Sequence, residues 1–322
     1  MVQPLVGVGS FIGFVSQTGY TTRVLPTTKF LPLIGGGDSI AREEVRIETG
    51  GIDSIGFSST RYARGRENIT GNVDVEIGYE GLEVLFYHLF GTVSTSQPSP
   101  STAPNVYDHT FTLANTLPVG MTVEINRGGT SFFVTGANIT SAEISCALDE
   151  YMKLSMDLIG RDLDTGTAST ASIPTKNGFT APDVILQWNS TELQVSNWSV
   201  QINHNLDADR VFIGSRLRNQ PVRGGRIEIT GSFEIEFTDT TMWTDFVNAS
   251  QRSILISAVG QTIEGGYYYS FTMTLPLSVL TAAPIQVGDE GRIIYTADFK
   301  SFRSASQKEV TLVLRNTVTS VS

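Results

Sequence analysis

Alternation of apolar and polar residues dominates this chain. Asn72-Val73-Asp74-Val75-Glu76-Ile77, Met121-Thr122-Val123-Glu124-Ile125, Trp198-Ser199-Val200-Gln201-Ile202 and Ser232-Phe233-Glu234-Ile235-Glu236-Phe237 switch at every residue, and Tyr269-Ser270-Phe271-Thr272-Met273-Thr274 resembles them. A period of two puts apolar side chains on one face of an extended segment and polar ones on the other, as half-buried antiparallel strands require. Helical periodicity is confined to two short stretches. In 81–90, Leu82, Leu85, Phe86 and Leu89 recur at i, i+3, i+4 and i+7. In 239–249, Met242, Phe246 and Val247 share a face, and Asp239 stands where an N-cap belongs. The pattern predicts a mainly β protein with two short helices.

Two stretches lack either period. Residues 93–105 are rich in Ser, Thr and Pro and predict a mobile surface loop. Residues 162–182 are rich in Thr, Ser, Ala and Gly and predict a connector between two halves. The halves resemble each other. A shift of 160 residues lays Gly65-Arg66-Glu67-Asn68-Ile69-Thr70-Gly71 over Gly225-Arg226-Ile227-Glu228-Ile229-Thr230-Gly231, Glu76 over Glu236 and Phe86 over Phe246. Both copies read as extended segment, glycine turn, alternating strand, turn and short helix. This predicts an internal duplication: a first module over 1–165 with an N-terminal arm, a linker over 166–182, and a second module over 183–322.

Composition narrows the function. The chain has 322 residues and a formal net charge of −10, which argues against tight binding of nucleic acid through phosphates. A surface past which DNA slides without sticking remains compatible. No run approaches the roughly 18–20 apolar residues of a membrane span, and the apolar start has no preceding Lys or Arg, so neither a membrane role nor a signal peptide is expected. The single cysteine, Cys146, lies in Ile144-Ser145-Cys146-Ala147-Leu148, where 144, 146 and 148 share a strand face. It reads as a small core residue rather than a nucleophile.

Catalytic and ligand-binding patterns are missing. His88, His109 and His204 have no partner at metal-ligand spacing, and no nucleophile elbow precedes a helix. His109 alternates with Tyr107 and Phe111 and reads as a packed ring. The glycines of 7–13 lack dinucleotide-loop spacing and read as an arm, and Gly35-Gly36-Gly37-Asp38 lacks a phosphate-loop lysine. Glu43-Glu44 and Asp289-Glu290 lack the ladder of a calcium loop and read as solvated faces. Trp188, Trp198 and Trp243 read as core or packing residues rather than a sugar platform. No enzyme activity, cofactor or metal is expected.

The order of these features resembles the tail tube proteins of long, non-contractile bacteriophage tails. The likeness rests on Lys29-Phe30-Leu31-Pro32-Leu33, the turn Arg64-Gly65-Arg66, the strand 71–77 and a helix from Tyr79 to Gly91. It continues through Tyr107-Asp108-His109-Thr110-Phe111-Thr112, strands over 117–125 and 136–148, Leu154-Ser155-Met156-Asp157-Leu158-Ile159-Gly160, and Pro221-Val222-Arg223-Gly224-Gly225-Arg226. Ser16-Gln17-Thr18-Gly19-Tyr20 departs from the acidic residue usual there. The resemblance implies β-sandwich or barrel modules, each with a flanking helix. It implies rings that stack into the conduit for DNA ejection; a duplicated chain would make trimeric rings of pseudo-sixfold symmetry. The implied partners are further copies of the chain, a tape measure protein, tail terminator and distal tail proteins, and DNA only in transit. The implied location is the virion tail, after assembly in the host cytoplasm. The competing reading is a two-domain β-sandwich binding module, such as a phage adhesin or carbohydrate-binding protein; its loops, however, carry few aromatic residues.

On this reading the stretches 39–64 and 199–223 are hairpins or loops that pack on a neighbouring subunit. Arg64, Arg66, Arg223 and Arg226 are then candidates for inter-subunit contacts. Asp74 and Glu76 superimpose on Glu234 and Glu236 under the 160-residue shift, opposite apolar faces formed by Val73, Val75, Ile77 and by Phe233, Ile235, Phe237. These four carboxylates are candidates for lining the lumen, because acidic walls repel phosphates. A subunit boundary and the outer wall are the alternatives.

Overall fold

The computed structural model describes residues 9–34, 37–48, 62–284, 291–304 and 308–321. Two short helices, α1 (Glu83–Phe90) and α2 (Thr241–Val247), accompany one continuously paired antiparallel sheet that folds into a central and two flanking layers, and a separate two-stranded ladder of Leu206–Asp207 with Val222–Arg223. The central sheet runs through Ala41–Glu48, Tyr62–Glu76, Lys153–Gly160, the second part of Thr130–Ala147, Val195–Asn203, Glu228–Glu236, Ile294–Ser301 and the end of Tyr268–Ala282. One flanking sheet contains Phe30–Pro32, Phe11–Ser16, Met121–Arg127, the first part of Thr130–Ala147 and Asp162–Gly166. The other contains Gly91–Ser96, Tyr107–Leu113, Thr311–Asn316, the first part of Tyr268–Ala282, Arg252–Thr262, Val184–Trp188 and Thr191–Leu193. The sheets are not closed into a barrel, and the architecture is a β-sandwich.

Two long strands pass from a flanking sheet into the central one, and each bends at a residue suited to it. Gly136 adopts φ +66°, a left-handed conformation that costs other residues steric strain. Pro276, which has no N–H to donate, falls between the part of its strand that pairs with Thr311–Asn316 and the part that pairs with Ile294–Ser301.

The central sheet repeats its own ladder. Arg42 and Gly160 flank Ile69, as Ile202 and Ser301 flank Ile229. Both halves carry a bulge at matching places, between Ile139 and Ser141 and between Leu280 and Ala282. The expected turn Arg64-Gly65-Arg66 instead lies inside the continuous strand Tyr62–Glu76, as does Gly71, and Gly231 lies inside Glu228–Glu236. A Cβ at Gly71 would stand 2.4 Å from the Ile40 Cα, and one at Gly231 2.3 Å from the Ser199 carbonyl oxygen. These glycines permit close strand approach rather than chain reversal.

The halves are joined by strand pairing. Residues 141–147 pair with 197–203, and Tyr107–Leu113 pairs with Thr311–Asn316. The hairpin formed by Gly91–Ser96 and Tyr107–Leu113 thus extends the second half's flanking sheet, whereas the sequence suggested a loop from residue 93. The apolar face of the central sheet, with Val73, Val75, Leu154, Ile144, Val200, Phe233 and Phe299, joins one contiguous core with Leu82, Leu85, Phe86 and Leu89 of α1. Each such side chain contributes about 1.5–3 kcal/mol by leaving water.

Other expectations are modified. Asp162–Gly166 is a strand, and Phe179, within the expected linker, is fully buried. Residues 199–203 form an interior strand of the central sheet rather than a loop. The predicted strand over 117–125 begins at Met121, and that over 136–148 begins earlier, at Thr130. Leu148 is exposed although it alternates with buried Ile144 and Cys146, because the strand ends at Ala147. In α2, Met242 is buried but Trp243 and Val247 are exposed. The N-cap is Thr240 rather than the expected Asp239, which lies one residue earlier and accepts a hydrogen bond from the Thr241 amide at 2.7 Å, while Asp245 occupies the interior, bonded to Arg252 and Trp188. Residues 7–8, Gly35-Gly36, 49–61 and Asp289-Glu290 lie outside the described residues.

Candidate functional site

Because Val73, Val75, Phe233 and Ile235 face the core, alternation turns Asp74, Glu76 and Glu234 to the other face of the central sheet, with Glu236 at its end. Ladder partners extend that face. Asp74 lies opposite Ser155, Asn72 opposite Asp157 and Glu76 opposite Lys153. Gln201 stands opposite Glu143 and Thr230, and Ser232 opposite Asp298. The result is one polar surface continuous across both halves. Carboxylates at 74, 76, 143, 157, 228, 234, 236 and 298 outnumber the ammonium groups of Lys153 and Lys300 on it. Short side chains tie it together: Asn72 Nδ2 donates to Ser155 Oγ at 2.9 Å, and Ser141 Oγ to Asp157 Oδ2 at 2.6 Å. Glu236 pairs with Arg292 and Glu234 accepts from Ser196 Oγ, so the four predicted carboxylates share a face but not a single partner set.

The sheet has two open edges. Ala41–Glu48 pairs only with Tyr62–Glu76 among the described residues, and its Val45 and Ile47 are exposed. Among the described residues, 279–282 pair only with Ile294–Ser301. Arg127 guards the first edge: Nη2 donates to the Ile40 carbonyl at 2.7 Å, and Nε meets Asp38 at 2.5 Å. Asp38 in turn accepts from the Ile40 amide at 2.9 Å.

The four predicted arginines do not form one cluster. Arg64 binds Glu44 and lies 3.2 Å from Glu67, beside the open edge. Arg66 reaches Asp209 at 3.0 Å, linking the halves. Arg223 donates to the carbonyls of Ala114 and Asn115 at 2.7 and 2.8 Å, and Arg226 is exposed. Sequence reasoning missed Arg218. It is buried, and its guanidinium donates to carbonyls of Ala208 and Gly160 and to Asn68 Oδ1, pinning the arm 204–226 to the first half. An arginine in a polar loop gives no periodic signal of burial.

The histidines are structural. His109 is fully buried and bonded to Thr95 Oγ1, Asn316 Oδ1 and the Val318 carbonyl, so it is a polar hub more than a packed ring. His88 bonds Ser16 Oγ at 3.0 Å. Burial pushes the Cys146 thiol up to about 11, as suits a core residue. Trp188 and Trp198 are buried and present no sugar platform. Among the described residues no group of three or more His, Cys, Asp or Glu could hold a metal ion, and no helix is long and apolar enough to cross a membrane.

A sheet with one apolar and one acidic face, open at both edges, is suited to building a wall from copies of itself. The family comparison decides what kind of wall. A family described as phage tail tube protein matches residues 7–301. The chain belongs to that family. No curated protein matches it. As a tail tube protein it is a structural component of the bacteriophage virion tail that self-assembles into the tube.

Proposed function

We propose that three chains close a ring through the open edges of the central sheet, and that stacked rings form the conduit through which DNA passes into the host. The internal junction carries this reading. Residues 197–203 pair with 141–147 of the same chain. Under the 160-residue shift, 37–43 corresponds to 197–203, and through the shared bulge Ala282 corresponds to Ser141. The open edge at 37–43 is thus the counterpart of one strand of the internal junction, and Ala282, where the other open edge ends, is the counterpart of the first residue of its partner. Joining the strand end at Ala282 of one chain to 37–43 of the next satisfies backbone groups that an exposed edge leaves free. A junction repeated at every module boundary closes a ring, and the six modules per ring that the family resemblance implies correspond to three duplicated chains.

In such a ring the polar face of the sheet looks into the lumen. An acidic lining avoids the counterion release through which basic walls bind DNA and slow it. Arg64, close to the open edge, is placed to meet acidic groups of the adjoining chain. The same tube would enclose a tape measure protein and end on terminator and distal tail proteins.

Electron microscopy of the concentrated protein, with native mass spectrometry of its smallest closed species, tests this. Hollow filaments built from three-chain rings are expected. Rings of six chains would remove the trimer and keep the tube, whereas a protein that stays monomeric at high concentration would remove both.

A further inference from the structure

We propose that rings stack by a knob-and-hole contact, in which the apolar tip of arm 204–226, Phe212-Ile213, enters a cavity at the far end of the central sheet of a chain in the next ring. The proposal rests on the tube reading above.

The knob is built to stand out. Asn219 N donates to the Arg210 carbonyl at 2.9 Å and Ser215 N to the Phe212 carbonyl at 3.2 Å, closing the arm into a loop. Arg218 pins the base of this loop to the first half. At the tip Phe212 is 57% exposed and Ile213 fully exposed. Two adjacent large apolar side chains held in water on a pinned loop form a surface that favours a partner.

The hole has about 410 Å³ of space and an apolar wall of Trp188, Leu193, Ile235, Met242 and Tyr295. A cavity near 150 Å³ already admits a benzene ring. Its position is opposite the knob. The arm leaves the sheet where Asn203 pairs with Glu228, and the cavity lies where Val195 pairs with Ile235. Seven residues of strand separate these ends, about 24 Å. One knob at one end and one hole at the other make a head-to-tail contact, which propagates an open filament rather than closing a dimer.

The first half shows what such a hole accepts. Under the 160-residue shift, Thr241 and Met242 at the cavity correspond to Gly81 and Leu82. There the chain's own connector fills the space. Pro174 packs against Gly81, and Phe179 is fully buried, its amide donating to the Ile77 carbonyl and its carbonyl accepting from Met152 N. Among the described residues no connector fills the second half's cavity. A second copy of the chain can supply an aromatic-bearing segment, and charge agrees with the arm as its source: Glu192 and Asp239 line the cavity beside the Asp245–Arg252 pair, while Arg216, half exposed and 3.8 Å from Glu67, flanks the tip.

The full-length chain carrying Phe212→Asp and Ile213→Asp tests the contact. Both sites are exposed, so the variant is expected to keep the wild-type melting temperature and to form rings. Filaments are expected to need at least about tenfold more protein, because the two side chains no longer leave water on stacking. A second variant, Ile213→Cys with Thr191→Cys, is expected to give disulfide-linked ladders in oxidised filaments and none in isolated rings. Wild-type filament formation by the double-Asp variant, loss of its rings, or filaments that fail to cross-link would each overturn the contact while leaving the tube. A wild-type chain that makes neither rings nor filaments would remove the tube reading and the contact with it.

Discussion

Arg127 covers part of the strand edge through which the proposed ring would close. Its guanidinium occupies the Ile40 carbonyl and the Asp38 carboxylate, so edge pairing at Ile40 must displace it. Replacing it by alanine is expected to free the edge and to lower the concentration at which the protein polymerises, read by light scattering; unchanged or slower polymerisation would show that the contact is only structural. His88 and His204 act on stability instead. Burial lowers both to about 4, with the Arg223 charge adding to the effect on His204. An unfolded imidazole titrates near 6.5, so each neutral ring stabilises the fold fully above that pH, and the contribution is lost as pH falls from 6.5 towards 4. The loss is on the order of 3 kcal/mol per ring. His204→Gln is expected to flatten the fall in melting temperature between pH 7 and 4 relative to wild type.

Among the elements, the stretch 176–183 departs furthest from its composition. It is polar and short of bulky groups, yet Gly178 bridges Gly78, Thr180 bridges Tyr151, and Phe179 fills the core between Tyr79 and Phe271. Phe179→Ala is expected to cost about 3–5 kcal/mol, measured as a shift of the urea midpoint, because the space left is walled by other elements and cannot collapse. A loss below about 1 kcal/mol would mean that the stretch is a passive tether. Gly231→Ala tests the strand-approach role of the glycine. A cost of about 1–3 kcal/mol is expected from displacing Val195–Asn203 or the Phe299 ring, which a Cβ would meet at 2.5 Å.

For the whole molecule, charge reversal on the acidic face tests the proposed lumen lining. Glu76→Lys with Glu236→Lys reverses charge at matching positions of both halves, at partly or fully exposed sites. Tubes are expected to assemble normally, with DNA ejection slowed and recovering as salt is raised, since added salt weakens phosphate binding. Unchanged ejection from normal tubes would place these carboxylates on the outer wall.

The sequence by itself determined the β class, both helices and the in-and-out alternation of the central strands. These follow from local periodicity, which a strand carries in its own residues. It also separated the acidic face from the apolar one, because alternation leaves a side chain only two directions. Tertiary structure decided the rest. That Gly71 and Gly231 sit within strands depends on how close Ile40 and Ser199 come, and that Arg218 is buried depends on carbonyls 58 and 149 residues away in the chain. Which edges stay open is a property of the pairing list, not of any one strand. Of 197–203 and 37–43, which the 160-residue shift relates, the first has strand neighbours on both sides within the chain and the second has one among the described residues, a difference that no local pattern in either segment announces.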